Sequence, residues 1–305
     1  MAVTDLSVLS ASAPAREKGP RVWLDMDQRE LDDAYDQAVY APNSAQLAER
    51  RTVNSAAVRA RLKPRRLAYG PTPVEMLDLY AAPVPNAPVM VLIHGGAWRA
   101  GSAADNAESA ELFVHAGAHL AVLDFITVTE AGGSLFPMIE QVRRAVAWIF
   151  HNSRSFAGDP HRVYVAGRSS GAHMGGCVLI TDWARDFGLP ADAVKGALLA
   201  SGMYDLKPVR LSKRGAYVKF TDAMEDQLSA QRHLDRINCP VVLAHGTYET
   251  PEFQRQTRDF AAALRAAGKP VTLIVAAGYN HFELPETMAN PYGVLGRAAL
   301  ELMGL

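Results

Sequence analysis

The chain has 305 residues, of which 49% are hydrophobic and 21% are charged. This composition is typical of a globular protein with one large core. The formal net charge of −1 provides no long-range field that would attract nucleic acid or an anionic membrane. We therefore expect a small-molecule substrate as partner, and either a monomer or a homodimer.

The N-terminal segment is small, polar and proline-containing, which predicts a disordered leader over residues 1–22. It lacks the features of a secretory signal, and no apolar run is long enough to span a bilayer. These observations predict a cytoplasmic protein. Cys177 and Cys239 lie in apolar stretches without metal-ligand spacing, so we expect two buried free thiols.

The next segment has helical periodicity from Asp25 to Leu62, and Asn43 with Ser44 form a plausible cap for its second part. We predict that residues 23–63 are a helical N-terminal extension that contributes to the substrate pocket. Together with the rest of the chain, it is expected to form a single domain over residues 23–305.

After the extension, short apolar runs alternate with helical stretches. Runs without polar interruption are typical of strands that are buried on both faces of a parallel sheet. Their alternation with helices predicts an α/β fold with a mostly parallel central sheet and helices on both faces. The predicted strands are RRLAYG, EMLDLYAA, VMVLIHGG, HLAVLDFI, RVYVAG, VKGALLAS, PVVLAHG and VTLIVAAG.

The sharpest motif is Gly167-Arg168-Ser169-Ser170-Gly171, which follows the predicted strand RVYVAG and precedes a helical stretch. It matches the G-x-S-x-G nucleophile elbow of the α/β-hydrolase fold in the required context of strand, turn and helix. The motif predicts Ser169 as a nucleophile. By itself it is also compatible with a simple helix cap.

A second motif, His94-Gly95-Gly96, ends an upstream strand at the place where this fold has its oxyanion hole. The backbone N–H groups of Gly95, Gly96 and Ser170 are the predicted donors to the developing alkoxide. We expect His94 to brace the loop rather than to transfer protons. The alternative is a glycine turn that only reverses the chain.

The general base must follow the nucleophile and the acid in the sequence. His281 lies after the last predicted strand and is the predicted base. His173 lies one helical turn beyond Ser169 and is expected to be structural, while His245 suits a turn or a pocket wall. The remaining histidines, among them His119, are expected in surface or connecting segments.

The acid is open among three carboxylates. We choose Glu249, in the loop after PVVLAHG. Glu252 falls at a predicted helix start, where a carboxylate is favoured for structural reasons. Asp205 follows the preceding strand and remains an alternative.

The chain resembles the kynurenine formamidase (arylformamidase) branch of the α/β hydrolases, which is related to hormone-sensitive-lipase-like esterases. The resemblance covers the chain from about Leu24 to its end and places Ser169, Glu249 and His281 as the triad. Glu249 stands where many relatives have aspartate, and Ser170 where alanine is commoner. The segments that carry the resemblance are HGGAW, GRSSGAH, SGMYDL, YETPEFQRQ and GYNHFE.

This resemblance implies hydrolysis of an aryl formamide such as N-formylkynurenine through an acyl-enzyme, without metal or cofactor. A carboxylesterase or amidase, a lyase or acyltransferase, and a non-catalytic binding protein of the same fold remain alternatives. Aromatic residues are expected to form part of the pocket wall, although core packing is an equally good explanation for each. The candidates are Tyr35, Tyr40, Trp98, Phe125, Tyr204 and Tyr279.

Overall fold

The computed structural model describes residues 17–305 of the chain. The strands of this part include all eight that the sequence predicts, and a short N-terminal pair that it does not. They are β1 (Arg21–Trp23), β2 (Met26–Asp27), β3 (Arg65–Ala68), β4 (Met76–Tyr80), β5 (Ala87–Ile93), β6 (His119–Leu123), β7 (Gly158–Arg168), β8 (Ala197–Ala200), β9 (Val241–Gly246) and β10 (Val271–Ala276).

The helices connect the strands and cover the sheet. They are α1 (Gln28–Ala34), α2 (Gln37–Tyr40), α3 (Ser44–Leu62), α4 (Ala110–His115), α5 (Phe136–Asn152), α6 (Ser170–Leu179), α7 (Trp183–Phe187), α8 (Leu206–Leu211), α9 (Asp222–Gln227), α10 (Pro251–Ala266) and α11 (Val294–Met303). Short 3₁₀ turns complete the connections, among them Ala104–Asn106 and Leu284–Ala289.

The central sheet has the strand order β10-β9-β8-β7-β5-β6-β4-β3. The six strands from β10 to β6 in this order pair in parallel, whereas β4 and β3 add to the edge in antiparallel orientation. Because the parallel strands point the same way, the loops after β5, β7, β8, β9 and β10 emerge at one edge of the sheet. The predicted catalytic residues all come from these loops.

Successive residues of a central strand enter two separate cores. In β5, Val89, Val91 and Ile93 pack into the cluster that contains α5 and α10, while Met90 and Leu92 pack into the cluster that contains α4 and α11. Alternate side chains of a strand point to opposite faces, so both faces of the sheet are covered by helices. The predicted mostly parallel sheet with helices on both faces is confirmed.

The N-terminal extension differs in detail from the sequence prediction. It begins with the β1–β2 hairpin and continues as three helices rather than two. Asn43 occupies the cap position of α3, but its side chain makes no capping hydrogen bond. It donates to Glu283 Oε1 at 3.0 Å and accepts from Asn280 Nδ2 at 2.9 Å, which attaches the extension to the loop of His281.

Two further predictions concern the N-terminal segment and the two cysteine thiols. The predicted leader over residues 1–22 lies mostly outside the described residues, and its last two positions, Arg21 and Val22, belong to β1. Cys177 and Cys239 are buried free thiols, as predicted. Burial raises the pKa of each thiol to about 12.

The prediction for His119 was wrong. It is fully buried at the start of β6, where its Nδ1 accepts a hydrogen bond from the Ala82 backbone N–H at 2.9 Å. Its ring contacts Phe156 edge-on, with centroids 5.6 Å apart.

Candidate active site

Ser169 sits between the end of β7 and the start of α6 in a strained conformation. Its φ of 54° and ψ of −126° lie outside the regions that non-glycine residues usually adopt. The Ser169 N–H donates to Ala200 O of the neighbouring strand at 2.9 Å, and Ser169 O accepts from His173 N at 3.1 Å. These bonds hold the turn, so the serine is presented at the carboxyl edge of the sheet as a nucleophile elbow requires.

The helix that follows approaches the sheet so closely that Gly171 has no room for a side chain. A Cβ at this position would lie 2.1 Å from the backbone oxygen of Ile93 in β5. The glycine therefore allows the contact between α6 and the sheet that sharpens the turn at Ser169.

Gly171→Ala is expected to lower the free energy of unfolding by about 1–3 kcal/mol, the range for overpacking a core, because backbone atoms must move apart. Urea unfolding of the wild type and the variant measures this change in the free energy of unfolding. Gly176→Ala is the matched control in the same helix: its nearest neighbour is the Ala230 Cβ at 3.1 Å, and the helix gains propensity from alanine. Equal losses in both variants would contradict the close-packing explanation.

His281 and Glu249 are joined by a buried hydrogen bond. His281 Nδ1 donates to Glu249 Oε2 at 2.8 Å, which directs the other ring nitrogen, Nε2, away from the carboxylate. Phe253 and Phe282 contact the imidazole edge-on, with ring centroids 5.1 and 5.6 Å away. Packing and hydrogen bonding together set the orientation and the tautomer of this histidine.

The Glu249 carboxylate is held by further donors. Its Oε1 accepts from the Gly246 backbone N–H at 2.7 Å and from Ser201 Oγ at 2.6 Å, and Gln37 Nε2 lies 3.5 Å from Oε2. A buried carboxylate needs such hydrogen-bond donors to offset the loss of its hydration. The sequence analysis missed Ser201 and Gln37, although the position of Ser201 directly after β8, beside the end of β9, was a usable signal.

The two alternative carboxylates have other partners. Asp205 caps α8 by accepting from Lys207 N at 3.1 Å and pairs with Arg232 at 3.1 Å. Glu252 accepts from the Tyr35 hydroxyl at 2.9 Å and pairs with Arg255 at 2.6 Å. Of the three candidates, the structure brings only Glu249 to His281.

The loop after β5 places two glycines beside Ser169. A Cβ on Gly95 would lie 3.2 Å from the Ser169 Cβ, and Gly96 has a φ of +128°, which glycine adopts without strain. Both glycines and Ser169 line the same cavity. Ser170 is the first residue of α6, where helical N–H groups have no acceptor within the helix.

His94 is buried in this loop. Its Nδ1 donates to Gly95 O at 2.8 Å, and its ring stacks on Phe125 with centroids 4.4 Å apart. Burial lowers the pKa of His94 to about 4. A neutral, stacked imidazole is suited to bracing the oxyanion loop, the role that we predict for it.

His173 lies in the helix after Ser169 and is fixed on both ring nitrogens. Trp98 Nε1 donates to His173 Nδ1 at 3.2 Å, so His173 Nε2 carries the proton and donates to Leu228 O at 3.0 Å. Burial lowers the pKa of His173 to about 4. These contacts occupy the imidazole and give it a structural role between the oxyanion loop and the segment before β9.

Ser169 and His281 both line a cavity of about 840 Å³. The N-terminal extension forms one wall of it through Tyr35, Gln37 and Arg51, and the segment after α8 forms another through Arg214 and Tyr217. That this cavity is the substrate pocket to which the extension contributes stays a prediction.

Only one of the six aromatic candidates, Tyr35, is in the cavity wall. Trp98 is buried against His173, Phe125 against His94, and Tyr204 stacks on Phe260 with centroids 4.3 Å apart. Tyr40 is exposed on α2, and Tyr279 is partly buried beside β9. The aromatic residues that join Tyr35 in the wall are Tyr217 and Phe282, which the sequence analysis did not select.

Within residues 17–305, no group of three or more His, Cys, Asp or Glu side chains is placed to hold a metal ion. No helix in the same range is long and apolar enough to cross a membrane.

Comparisons with known proteins identify the fold and the family of the chain. A family model described as BD-FAE matches residues 77–188. Solved structures of a Silicibacter sp. protein and of a Pyrobaculum calidifontis esterase superpose with TM-scores of 0.76 and 0.67, at 20% and 18% identity. They cover 90% and 88% of this chain and 99% and 97% of their own. The chain therefore has the α/β-hydrolase fold, and the predicted fold class is confirmed.

Two curated relatives narrow the class. The kynurenine formamidase of Salmo salar is 30% identical over 77% of this chain and 80% of its own length. The kynurenine formamidase of Danio rerio is 27% identical over 92% of this chain and 98% of its own length. The chain belongs to the kynurenine formamidase family, and it is a hydrolase.

Proposed function

We propose that the chain is a serine hydrolase that cleaves a small aryl formamide of the N-formylkynurenine type through an acyl-enzyme. Ser169 is the nucleophile, His281 the base and Glu249 the acid that orients it. The observation that carries the proposal is the buried 2.8 Å hydrogen bond between Glu249 and His281, at a cavity that Ser169 also lines.

The mechanism follows from the tautomer of His281. Because Nδ1–H donates to Glu249, Nε2 is free of its proton and can accept the one from the Ser169 hydroxyl. The serine oxygen then attacks the formyl carbon, and the carbonyl oxygen becomes an alkoxide. The backbone N–H groups of Gly95, Gly96 and Ser170 are the proposed donors to that alkoxide.

Collapse of this intermediate breaks the C–N bond. His281 returns the proton to the departing aryl amine, and Ser169 carries the formyl group as an ester. Water, deprotonated by His281, attacks the ester and releases formate. This scheme calls for no metal ion or cofactor.

The substrate class is supported by the two kynurenine formamidases, which match along most of their length. A second candidate function is a carboxylesterase. It is supported by the isoprenylcysteine alpha-carbonyl methylesterase of Arabidopsis thaliana, 26% identical over 72% of this chain and 56% of its own length. The cavity of about 840 Å³ also exceeds what a formyl group alone requires.

Hydrolysis of N-formylkynurenine beside p-nitrophenyl acetate tests the assignment. We expect stoichiometric release of formate and a kcat/KM for the formamide at least about tenfold above that for the ester. Both substrates share the binding of an aryl group, so the difference reports interactions that only the transition state of the formamide makes. Turnover of the ester alone would contradict the formamidase assignment and favour a carboxylesterase. Binding without turnover of either compound would favour the non-catalytic alternative.

A further inference from the structure

The cavity beside Ser169 contains more cationic than anionic side chains. Five basic residues line it. Of these five, only Lys213 has a carboxylate within ion-pair distance among residues 17–305, and that carboxylate is Asp36. The basic residues are Arg51, Arg99, Arg168, Lys213 and Arg214.

The other acidic groups of the cavity wall do not offset these charges. Asp105 accepts from Ser102 Oγ at 2.6 Å, and Glu49 is an exposed residue of α3. Neither forms an ion pair with an arginine of the described chain. Guanidinium groups that lie partly out of water without a carboxylate are unfavourable unless an anion joins them.

Arg168 and Arg51 lie close enough together for their charges to interact. Arg168 directly precedes Ser169, and its Nη2 donates to the neutral side-chain oxygen of Asn106 at 3.2 Å. The Arg51 Nε is buried and makes no hydrogen bond to any residue in the described range 17–305. Burial and the nearby charge of Arg51 lower the pKa of Arg168 to about 9, so Arg168 remains charged at neutral pH.

One carboxyl outside the cavity, Glu108, also faces this pair. It accepts from Ser55 Oγ at 3.0 Å, and burial raises its pKa, while the charges of Arg168 and Arg51 act in the opposite direction. Even a fully ionised Glu108 leaves one positive charge over. That surplus matches a monoanion.

The surplus positive charge lies close to Ser169 and to the proposed oxyanion hole. Arg168 Nη1 lies 3.4 Å from the place that a Cβ on Gly95 would occupy, next to the proposed oxyanion hole. Arg51 projects into the same cavity from α3. An anion held by both would therefore be part of a molecule whose scissile bond lies at Ser169.

We propose that Arg51 and Arg168 form a subsite for a carboxylate of the substrate, so that the enzyme selects aryl formamides and esters that carry this carboxylate over those that lack it. The inference rests on the proposed function, which it deepens by assigning the residues that bind the carboxylate of the substrate. Two guanidinium groups can present paired N–H donors to the two oxygens of a carboxylate, a geometry that favours this anion.

The test compares 3-acetoxybenzoate with methyl 3-acetoxybenzoate, which share the scissile acetyl ester and differ in one negative charge. We expect the wild type to prefer the carboxylate, measured as the ratio of the two kcat/KM values. Arg51→Met is expected to lower this ratio about ten- to a hundredfold, the value of a hydrogen bond to a charged group, and Arg51→Lys to restore part of it. Arg61→Met, which removes an exposed charge from the same helix, is the control and should leave the ratio unchanged.

Binding of benzoate and benzamide, measured by calorimetry, separates the subsite from catalysis. Tighter binding of benzoate, lost in Arg51→Met, supports the subsite even if neither ester is hydrolysed, in which case the proposed function fails alone. Equal affinities, together with equal kcat/KM values for the two esters in the wild type, would overturn the subsite while leaving the hydrolase assignment intact.

Discussion

Ser169→Ala is expected to lower kcat for the preferred substrate by about 10⁶-fold, the loss found when a triad nucleophile is removed. The variant retains the cavity, the oxyanion glycines and the Glu249–His281 pair, but it has no oxygen to form the acyl-enzyme. A residual rate about 10³-fold above that in water is expected from binding and the oxyanion hole. Single-turnover assays with mass spectrometry of the protein measure both the rate and the missing acyl adduct.

The matched control is Ser155→Ala, which makes the same chemical change at an exposed serine that does not line the cavity. It should keep wild-type kcat. A Ser169→Ala protein that is folded by circular dichroism and hydrolyses its substrate within tenfold of the wild-type rate would refute Ser169 as nucleophile.

Glu249→Gln is expected to reduce kcat by about 10⁴-fold, the effect of replacing a triad carboxylate by an amide. Glu249 Oε1 accepts from Gly246 N–H and Ser201 Oγ, so the amide oxygen of the introduced glutamine takes that position and its NH₂ faces His281. The imidazole must then accept at Nδ1 and carry its proton on Nε2. In that tautomer it cannot take the proton of Ser169.

Asp205→Asn is the matched control, because it makes the same isosteric change at the alternative acid. Asp205 caps α8 and pairs with Arg232, so the substitution should alter thermal stability slightly and leave kcat within about threefold. Loss of turnover in Asp205→Asn with retention in Glu249→Gln would reverse the assignment of the acid.

Much of the fold was predictable because its signals are local. All eight strands of the central sheet were predicted, six of them from continuous apolar runs, and the order of strands and helices indicated parallel pairing. The β1–β2 hairpin was missed because it has only five strand residues and no hydrophobic alternation to mark it. Asn43 is a residue of a type that commonly caps helices, and it lies at the start of a helix. Its side chain instead forms hydrogen bonds with Glu283 and Asn280, which are more than 230 residues away in the chain.

The candidate site divides in the same way. Ser169 and the oxyanion glycines were selected because a strained turn and a close helix approach require glycines at set spacings, which leaves a pattern in the sequence. Most aromatic residues of the cavity wall were not selected, because an aromatic residue near a loop packs equally well into a core. Trp98 and Phe125 do so against His173 and His94, whereas Tyr217 comes from a segment without a motif.

The sequence by itself determined the fold class, the presented serine and the glycine loop, since each depends on residue types within one turn or one strand. Only the tertiary structure decided which of three carboxylates meets His281, that Ser201 and Gln37 support the chosen one, and that Arg51 approaches Arg168. Those contacts join residues 32 to 212 positions apart or different elements of the fold. They depend on how the strands align at one edge of the sheet and on how the N-terminal extension packs over it, which no local pattern records.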